Sequence, residues 1–492
     1  MHYVSTRDAS LNFSAAHAIE QGLSRDGGLF LPEQLPQLPA LDLLVPMSYQ
    51  QRAVAIMKLF LEEFTEEELQ DYAEKAYGPE KFDCTAVAPV EKLHCKTSVL
   101  ELWHGPTCAF KDMALQMLPY LLTASMKKNG EDKTVCILVA TSGDTGKAAL
   151  EGFCDVDHTK ILVFYPKDGV SDIQQLQMVT QAGENVGVCA VYGNFDDAQT
   201  GVKKIFSDVE YREELLQKGY VLSSANSINW GRVLPQIVNY ISAYCDLIAS
   251  GEIQKGDLVN FCVPTGNFGN ILACYYAKKM GLPVGKLICA SNSNNVLTDF
   301  IRTGIYDRNR PFYTTASPSM DILISSNLER LLYDLTGSDA EVRDYMKALA
   351  ETGKYQVSEE VLEKLKEHFV SGFCDDERTL NTIEKVFHDK GYLMDTHTAV
   401  AYTVLQDYRA ATADDTPAVV VSTASPFKFC DSVLNALGVK ELRPGTAILQ
   451  QLTEITGKPA PKPLAALEGK EVRFTQVTEK DNMTQVVSEI LN

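Results

Sequence analysis

Short apolar runs alternate with helical patterns from about residue 97 onward, and each run ends in a loop rich in glycine and hydroxyl residues. TSVLELW, VCILVA, ILVFYP, VGVCAVYG, LVNFCVP and AVVVST read as strands; KDMALQMLPYLLTASMKK, KAALEGF and ILACYYAKKMG read as helices. Strands apolar throughout are buried on both faces, the mark of parallel sheets covered by helices. This alternation restricts the chain to an α/β architecture.

The flanking segments differ. Residues 1–95 carry a proline cluster at Pro32, Pro36 and Pro39, then the amphipathic segments YQQRAVAIMKLFLEEF and TEEELQDYAEKAY. Thr65 followed by Glu68 fits a capping box. The expectation is a small, mainly helical N-terminal unit. Residues 338–390 are charged and amphipathic and read as a helical insertion. Two open parallel-sheet domains are expected, a large one over 96–130 and 226–492 and a smaller one over 131–225.

Composition excludes several functions. The formal net charge of −20 argues against nucleic-acid and anionic-membrane partners. The twelve cysteines form no CxxC pair, which suggests reduced, buried thiols. The eight histidines lack ligand spacing, so no metal is expected. No stretch reaches the ~18 apolar residues of a spanning helix, and the N-terminus has no apolar leader pattern; a cytoplasmic protein is expected.

Four strand-to-helix loops lie where open α/β sheets bind ligands. In HGPTCAFKDMALQ, Lys111 follows Phe110 among small and apolar residues at a helix start. A lone lysine is ordinarily a surface charge. Burial and the unfavourable helix dipole both push an amine toward neutrality, where it is a nucleophile. In ATSGDTGKAAL, Ser142, Thr145 and backbone amides can receive a carboxylate or phosphate. A nucleotide P-loop fails on glycine spacing; an ordinary helix cap remains open. PTGNFGNILA, with Gly266 and Gly269, resembles a phosphate cup, with a plain glycine turn as the alternative. In VVVSTASPFKF, Ser422 and Thr423 either meet a ring nitrogen or cap a helix. One ligand satisfies all four loops: pyridoxal phosphate beside an amino acid.

HGPTCAFKD, ATSGDTG, GNFGN and STASPFKF resemble the threonine synthase family. So do YVSTRD…GLSRDGGLFLP, GNFDDAQ, SANSINWGR and DTHTAVAY, and the resemblance spans nearly the whole chain. GNFDD and SANSINWGR look like the longer, yeast- and bacterial-type branch. The resemblance implies a fold-type II pyridoxal-phosphate enzyme, tryptophan synthase β-like. It implies Lys111 as the Schiff-base lysine, with Phe110 beside it. It implies Gly266, Asn267, Phe268, Gly269 and Asn270 around the cofactor phosphate, and Thr423 at the ring nitrogen. Asp144 stands near the ring 3′-oxygen, where many relatives carry Asn. Ser142 and Thr145 would take the substrate carboxylate, and Asn226, Asn229 and Arg232 the substrate phosphate. The implied substrate is O-phospho-L-homoserine and the product threonine, made by a monomer or homodimer. A phospho-lyase or dehydratase releasing a 2-oxo acid and ammonia is the rival reaction, and a non-catalytic amino-acid-binding protein the rival from another class.

Overall fold

The computed structural model describes residues 1–491. Two sheets organise the chain. The larger runs in the order Phe369–Phe373, Val284–Ser291, Val259–Pro264, Ala418–Ser422, Thr97–Glu101, Val90–His94, parallel except for the last, antiparallel pair. The smaller runs Val477–Thr478, Val186–Val191, Thr159–Pro166, Thr134–Ala140, Tyr220–Ser223, parallel throughout. Strands such as Val259–Pro264 and Ala418–Ser422 are buried at every residue, as their continuous apolar runs require.

The helix Trp230–Ala249 crosses the core and is buried on nearly all sides. Some of its polar residues are matched inside: the Tyr49 hydroxyl donates to Asn239 Oδ1 at 2.6 Å, and Tyr240 donates to Asn270 Oδ1 at 2.6 Å. Others are buried without a partner, Trp230 Nε1, Arg232 Nε, Gln236 Oε1 and Asn239 Nδ2 among them. The helix also carries Arg232 in its first turn, which delivers a cation to the sheet edge where the glycine loops lie.

The N-terminal segment is mainly helical, and it also carries an antiparallel sheet of Tyr3–Ser5, Asp8–Phe13 and Phe30–Pro32, with the helix Ala15–Gln21 between the second and third of these strands. Thr65 and Glu68 form the expected capping box, at 3.1 and 2.7 Å. Three expectations need correction. The 338–390 segment is not a peripheral helical insertion, because Phe369–Phe373 within it is the edge strand of the large sheet. Its half-buried residues and its glycine, Gly372, hide the strand signal between two strong helical patterns. The chain's last stretch does not stay with the large sheet. Val477–Thr478 extends the small sheet, and Met483–Leu491 packs on it through Val486, Val487 and Leu491.

The expected long helix after Lys111 is split into Asp112–Leu115 and Leu118–Asn129. Pro119 has no N–H to offer the Leu115 carbonyl, so the helix restarts there, with proline in its first turn. Gly152 of the helix Asp144–Phe153 packs against this carbonyl, and a Cβ at residue 152 would sit 2.1 Å from Leu115 O. The twelve cysteines are free thiols, most of them buried. Among the described residues, no helix is long and apolar enough to cross a membrane.

Gly152→Ala thus forces two helices apart, and the expected cost is about 1–3 kcal/mol, typical of overpacking. Chemical denaturation of both forms checks it; an unchanged midpoint would mean that the contact yields freely.

Candidate active site

Lys111 sits on a turn stitched to the end of the strand Ala418–Ser422. Phe110 N–H donates to Thr423 O at 2.8 Å, Ser425 N–H donates to Cys108 O at 3.0 Å, and Ala109 pairs with Ala424. Cys108 takes a left-handed backbone, φ 58°, to make the turn. Asp112 ties it from within, accepting from Thr107 N–H at 2.8 Å and Thr107 Oγ1 at 2.7 Å. Burial pushes this carboxyl up to about 6, against the pull of those two bonds.

The Lys111 amine is pulled down to about 8. Burial is the main cause; Lys428 and Arg232 act in the same direction, while Asp144 opposes them. The helix that follows Lys111 has only four residues, so the dipole invoked from the sequence has little length to act through. Two neighbouring cations take its place. Phe110 lies beside the amine, which is 5.8 Å from the ring centre.

Thr141 shapes the second loop. Its Oγ1 accepts from Gly143 N–H at 3.0 Å and Gly146 N–H at 2.9 Å. Gly143 has φ 133° and touches the Gln174 side chain, so only glycine fits. Apart from the Thr141–Gly146 bond, the helix Asp144–Phe153 has no side-chain cap from its N-cap residue Gly143, which leaves other amides open near exposed Ser142 and half-buried Thr145. Asp144 is already engaged: Lys428 Nζ lies 2.7 Å away, Gln174 Nε2 donates at 3.0 Å, and Ser319 Oγ at 3.3 Å. Burial alone would raise its pKa, but Lys428 and Lys111 hold it well below the usual carboxylate range.

The third loop has the form of an anion cup. Phe268 is left-handed at φ 64°, and no side chain caps the helix Gly269–Lys279. Asn270 Nδ2 is buried without a partner. Gly266 passes under Ser319 O, where a Cβ would lie 2.8 Å away. Asn327 clamps this loop: its backbone N–H and Nδ2 both donate to Asn267 O, at 3.1 and 3.0 Å, and Nδ2 also reaches Ser227 O at 3.1 Å. Arg330 holds Asn327 Oδ1 in turn and donates to Ile228 O at 2.5 Å.

Arg232 is 3% exposed. Its Nη1 donates to Ala225 O at 2.5 Å, yet Nε has no partner, and among the described residues no carboxylate pairs with it. Burial pushes the guanidinium down to about 10. A buried cation without a counter-charge is costly, so this site is built to receive an anion. Asn226 is half-buried in the loop before the helix Trp230–Ala249, next to Ala225, whose carbonyl Arg232 binds. Asn229 is occupied otherwise: Oδ1 caps Gly231 N–H at 2.8 Å, and Nδ2 donates to Ile19 O at 2.9 Å. Of the two strand-end hydroxyls, Ser422 Oγ accepts from Trp103 Nε1 at 3.0 Å and Thr398 Oγ1 at 2.9 Å. Thr423 is buried beside it, its carbonyl holding the lysine turn.

Sequence reasoning missed Lys428, Gln174, Ser319, Asn327 and Arg330. Lys428 lay inside the quoted STASPFKF motif, and its placement among apolar residues was the available signal. The others come from distant segments and carry no local signature. His397 is also new: Nδ1 meets Asp395 Oδ2 at 2.7 Å, and Nε2 accepts from Ser319 N–H at 3.1 Å, which holds the 317–320 strap over Gly266.

The residues fit pyridoxal phosphate. The uncapped cup with an unpartnered Asn270 amide suits its phosphate, and the Lys111 amine, its pKa lowered to about 8, suits its carbonyl. Asn327→Ala should loosen the cup and raise the cofactor Kd roughly tenfold, near 1.4 kcal/mol. Absorbance titration measures this, and unchanged affinity would mean that the cup holds without its clamp.

Comparisons with known proteins bear on the whole chain. The pyridoxal-phosphate dependent enzyme family model matches residues 85–424, flanked by the threonine synthase N terminus at 2–77 and the threonine synthase C-terminal model at 398–490. Threonine synthase-like 1 of Homo sapiens is 41% identical over 461 residues, 89% of this chain and 61% of the relative. The chain therefore spans about 61% of that relative's length. Threonine synthase of Pseudomonas aeruginosa is 39% identical over 440 residues, 89% of this chain and 90% of the relative. The solved PLP-bound threonine synthase of Brucella melitensis has a TM-score of 0.88 at 37% identity, covering 100% of this chain and 98% of that one. Matched from end to end in both sequence and fold, the chain belongs to the threonine synthase family of fold-type II, pyridoxal-phosphate-dependent enzymes.

Proposed function

We propose that this chain converts O-phospho-L-homoserine and water to L-threonine and inorganic phosphate. The observation that carries the reading is Arg232, buried and without a counter-charge at the same sheet edge as Lys111. The cofactor's own phosphate has the cup at 266–270. A second anion receptor calls for a substrate with a second phosphate-like group. Relatives named threonine synthase, of which this chain covers about 90%, support the same reading.

When bound, pyridoxal phosphate supplies a carbonyl that captures the substrate amine and a ring that spreads carbanion charge. Gly266, Asn267, Phe268, Gly269 and Asn270 would hold its phosphate, Thr423 would serve its ring nitrogen, and Phe110 and Asp144 would line its site. Ser142, Thr145 and the open amides near them hold the substrate carboxylate. Arg232 and Asn226 receive the substrate phosphate, while Asn229 supports them by capping the helix that bears Arg232. Lys111 takes the proton from the substrate Cα, a role that suits an amine whose pKa is drawn down to about 8. A proton then leaves Cβ, its electron pair breaks the Cγ–O bond, and the departing phosphate, the acceptor of that proton, is stabilised by Arg232. Water must stay out during proton removal and enter afterward, so the small sheet, centred on residues 131–225, closes over the substrate.

A second reading has its own support: the relatives at 41% identity are named threonine synthase-like 1. On that reading the same residues expel phosphate, and the product leaves as a 2-oxo acid with ammonia.

Product analysis with O-phospho-L-homoserine decides between them. Threonine and phosphate in equal amounts are expected; 2-oxobutyrate and ammonia would replace the first reading with the second. Lys111→Ala should abolish turnover. Arg232→Gln should cut kcat/KM at least about a hundredfold, the usual scale for losing a charged transition-state contact. Full activity in Arg232→Gln would place the phosphate elsewhere.

A further inference from the structure

We propose that Lys428 is a positioning residue for Lys111: by pairing with Asp144 it weakens that carboxylate's hold on the Lys111 ammonium. The inference rests on Lys111 being the cofactor-bonding lysine.

Lys428 lies in the short 3₁₀ turn Pro426–Phe429, which Ser425 opens by accepting Phe427 N–H at 3.3 Å. The turn drives the lysine inward, and its side chain has no exposed surface. A buried ammonium needs partners, and this one has two. Asp144 Oδ1 lies at 2.7 Å and Thr107 O at 3.0 Å. Thr107 belongs to the turn that presents Lys111. Lys428 thus touches the lysine turn with one bond and the opposing carboxylate with the other.

The charged groups that face Lys111 are Asp144, Lys428 and Arg232. Asp112, also buried nearby, is turned toward Thr107. Among the described residues, Asp144 is the main anion acting on the Lys111 amine, and it would favour a charged lysine that is useless as a nucleophile or base. Gln174 and Ser319 bond Asp144 but carry no charge to balance it. Lys428 alone supplies that balance at contact distance. It also adds its own repulsion, and burial, Lys428 and Arg232 together bring the amine down to about 8. A strut that only braced the two loops would leave the charge state of Lys111 unaffected.

Lys428→Met and Asp144→Asn therefore push Lys111 in opposite directions. The test is trace acetylation of the full-length protein with acetic anhydride from pH 6 to 11, with the Lys111 peptide quantified by mass spectrometry. In Lys428→Met the midpoint should rise by about one pH unit or more. In Asp144→Asn it should fall below the unmodified protein's, and the double variant should return close to it. Shifts in the same direction, or no shift in either, would overturn the proposal. Should Lys428→Met fail to fold, the near-isosteric Asp144→Asn decides alone: a lowered midpoint supports the proposal, and an unchanged or raised one ends it. Saturating pyridoxal phosphate should protect Lys111 from labelling. Lack of protection would remove the cofactor assignment, and the proposal with it, whatever the pH profiles show.

Discussion

Everything at the candidate site hangs from the backbone seam between the Lys111 turn and the end of the strand Ala418–Ser422. The bonds Phe110–Thr423 and Ser425–Cys108 cross-link two segments more than three hundred residues apart in sequence. The seam obliges Cys108 to adopt a left-handed backbone, a conformation that non-glycine residues keep only when their surroundings enforce it. The surroundings here are the sheet itself, whose strands Thr97–Glu101 and Ala418–Ser422 are direct neighbours. Sheet order therefore fixes where the lysine is presented. The same seam brings Thr423 and Lys428 to the lysine, because all three depend on one strand end.

Charge then does what geometry alone does not. Lys428 and Arg232 are cations near the Lys111 amine, Asp144 is held by Lys428, and among the described residues no carboxylate pairs with Arg232. Bare of ligand, such a cluster is costly. On the proposed function, a phosphorylated amino acid would turn the same imbalance into affinity and orientation, since its phosphate and carboxylate would find donors already in place. A global charge of −20 does not oppose this, because the local field is set by the nearest buried groups.

Much of this was legible in the sequence, and the failures have physical causes. The four loops could be found because close backbone approach demands glycine, and catalytic hydroxyls and amines must stand at strand ends. The ATSGDTG glycines, for example, are required by the Thr141 and Gln174 contacts. The edge strand Phe369–Phe373 was hidden because an edge strand need not be uniformly apolar, and its neighbours read strongly as helix. Asn327 and Arg330 were hidden because a clamp acts through tertiary neighbours, and nothing in SSNLERLL distinguishes it from an ordinary helix start. Asn229 was over-read: an asparagine in a ligand-like motif is equally suited to capping a helix, and there both ends of its amide are used.

The split helix after Lys111 joins these strands of argument. Pro119 frees the Leu115 carbonyl, and Gly152 is small enough to pack against it. This contact brings a helix of the small sheet against the lysine turn of the large one. Lys428 and Asp144 make a second contact between the same two bodies, nearer the chemistry. The chain also returns to the small sheet at its end, where Arg473 binds Val179, Gln181 and Gly183 through backbone oxygens before Val477–Thr478 joins the sheet. Any displacement of the small sheet against the large must separate Lys428 from Asp144 or carry both along. Separating them leaves two buried charges unpaired, a penalty of about 3–5 kcal/mol unless water enters with the motion. Opening the site and wetting it are thus one event, which is the coupling that a reaction needing water late and not early requires.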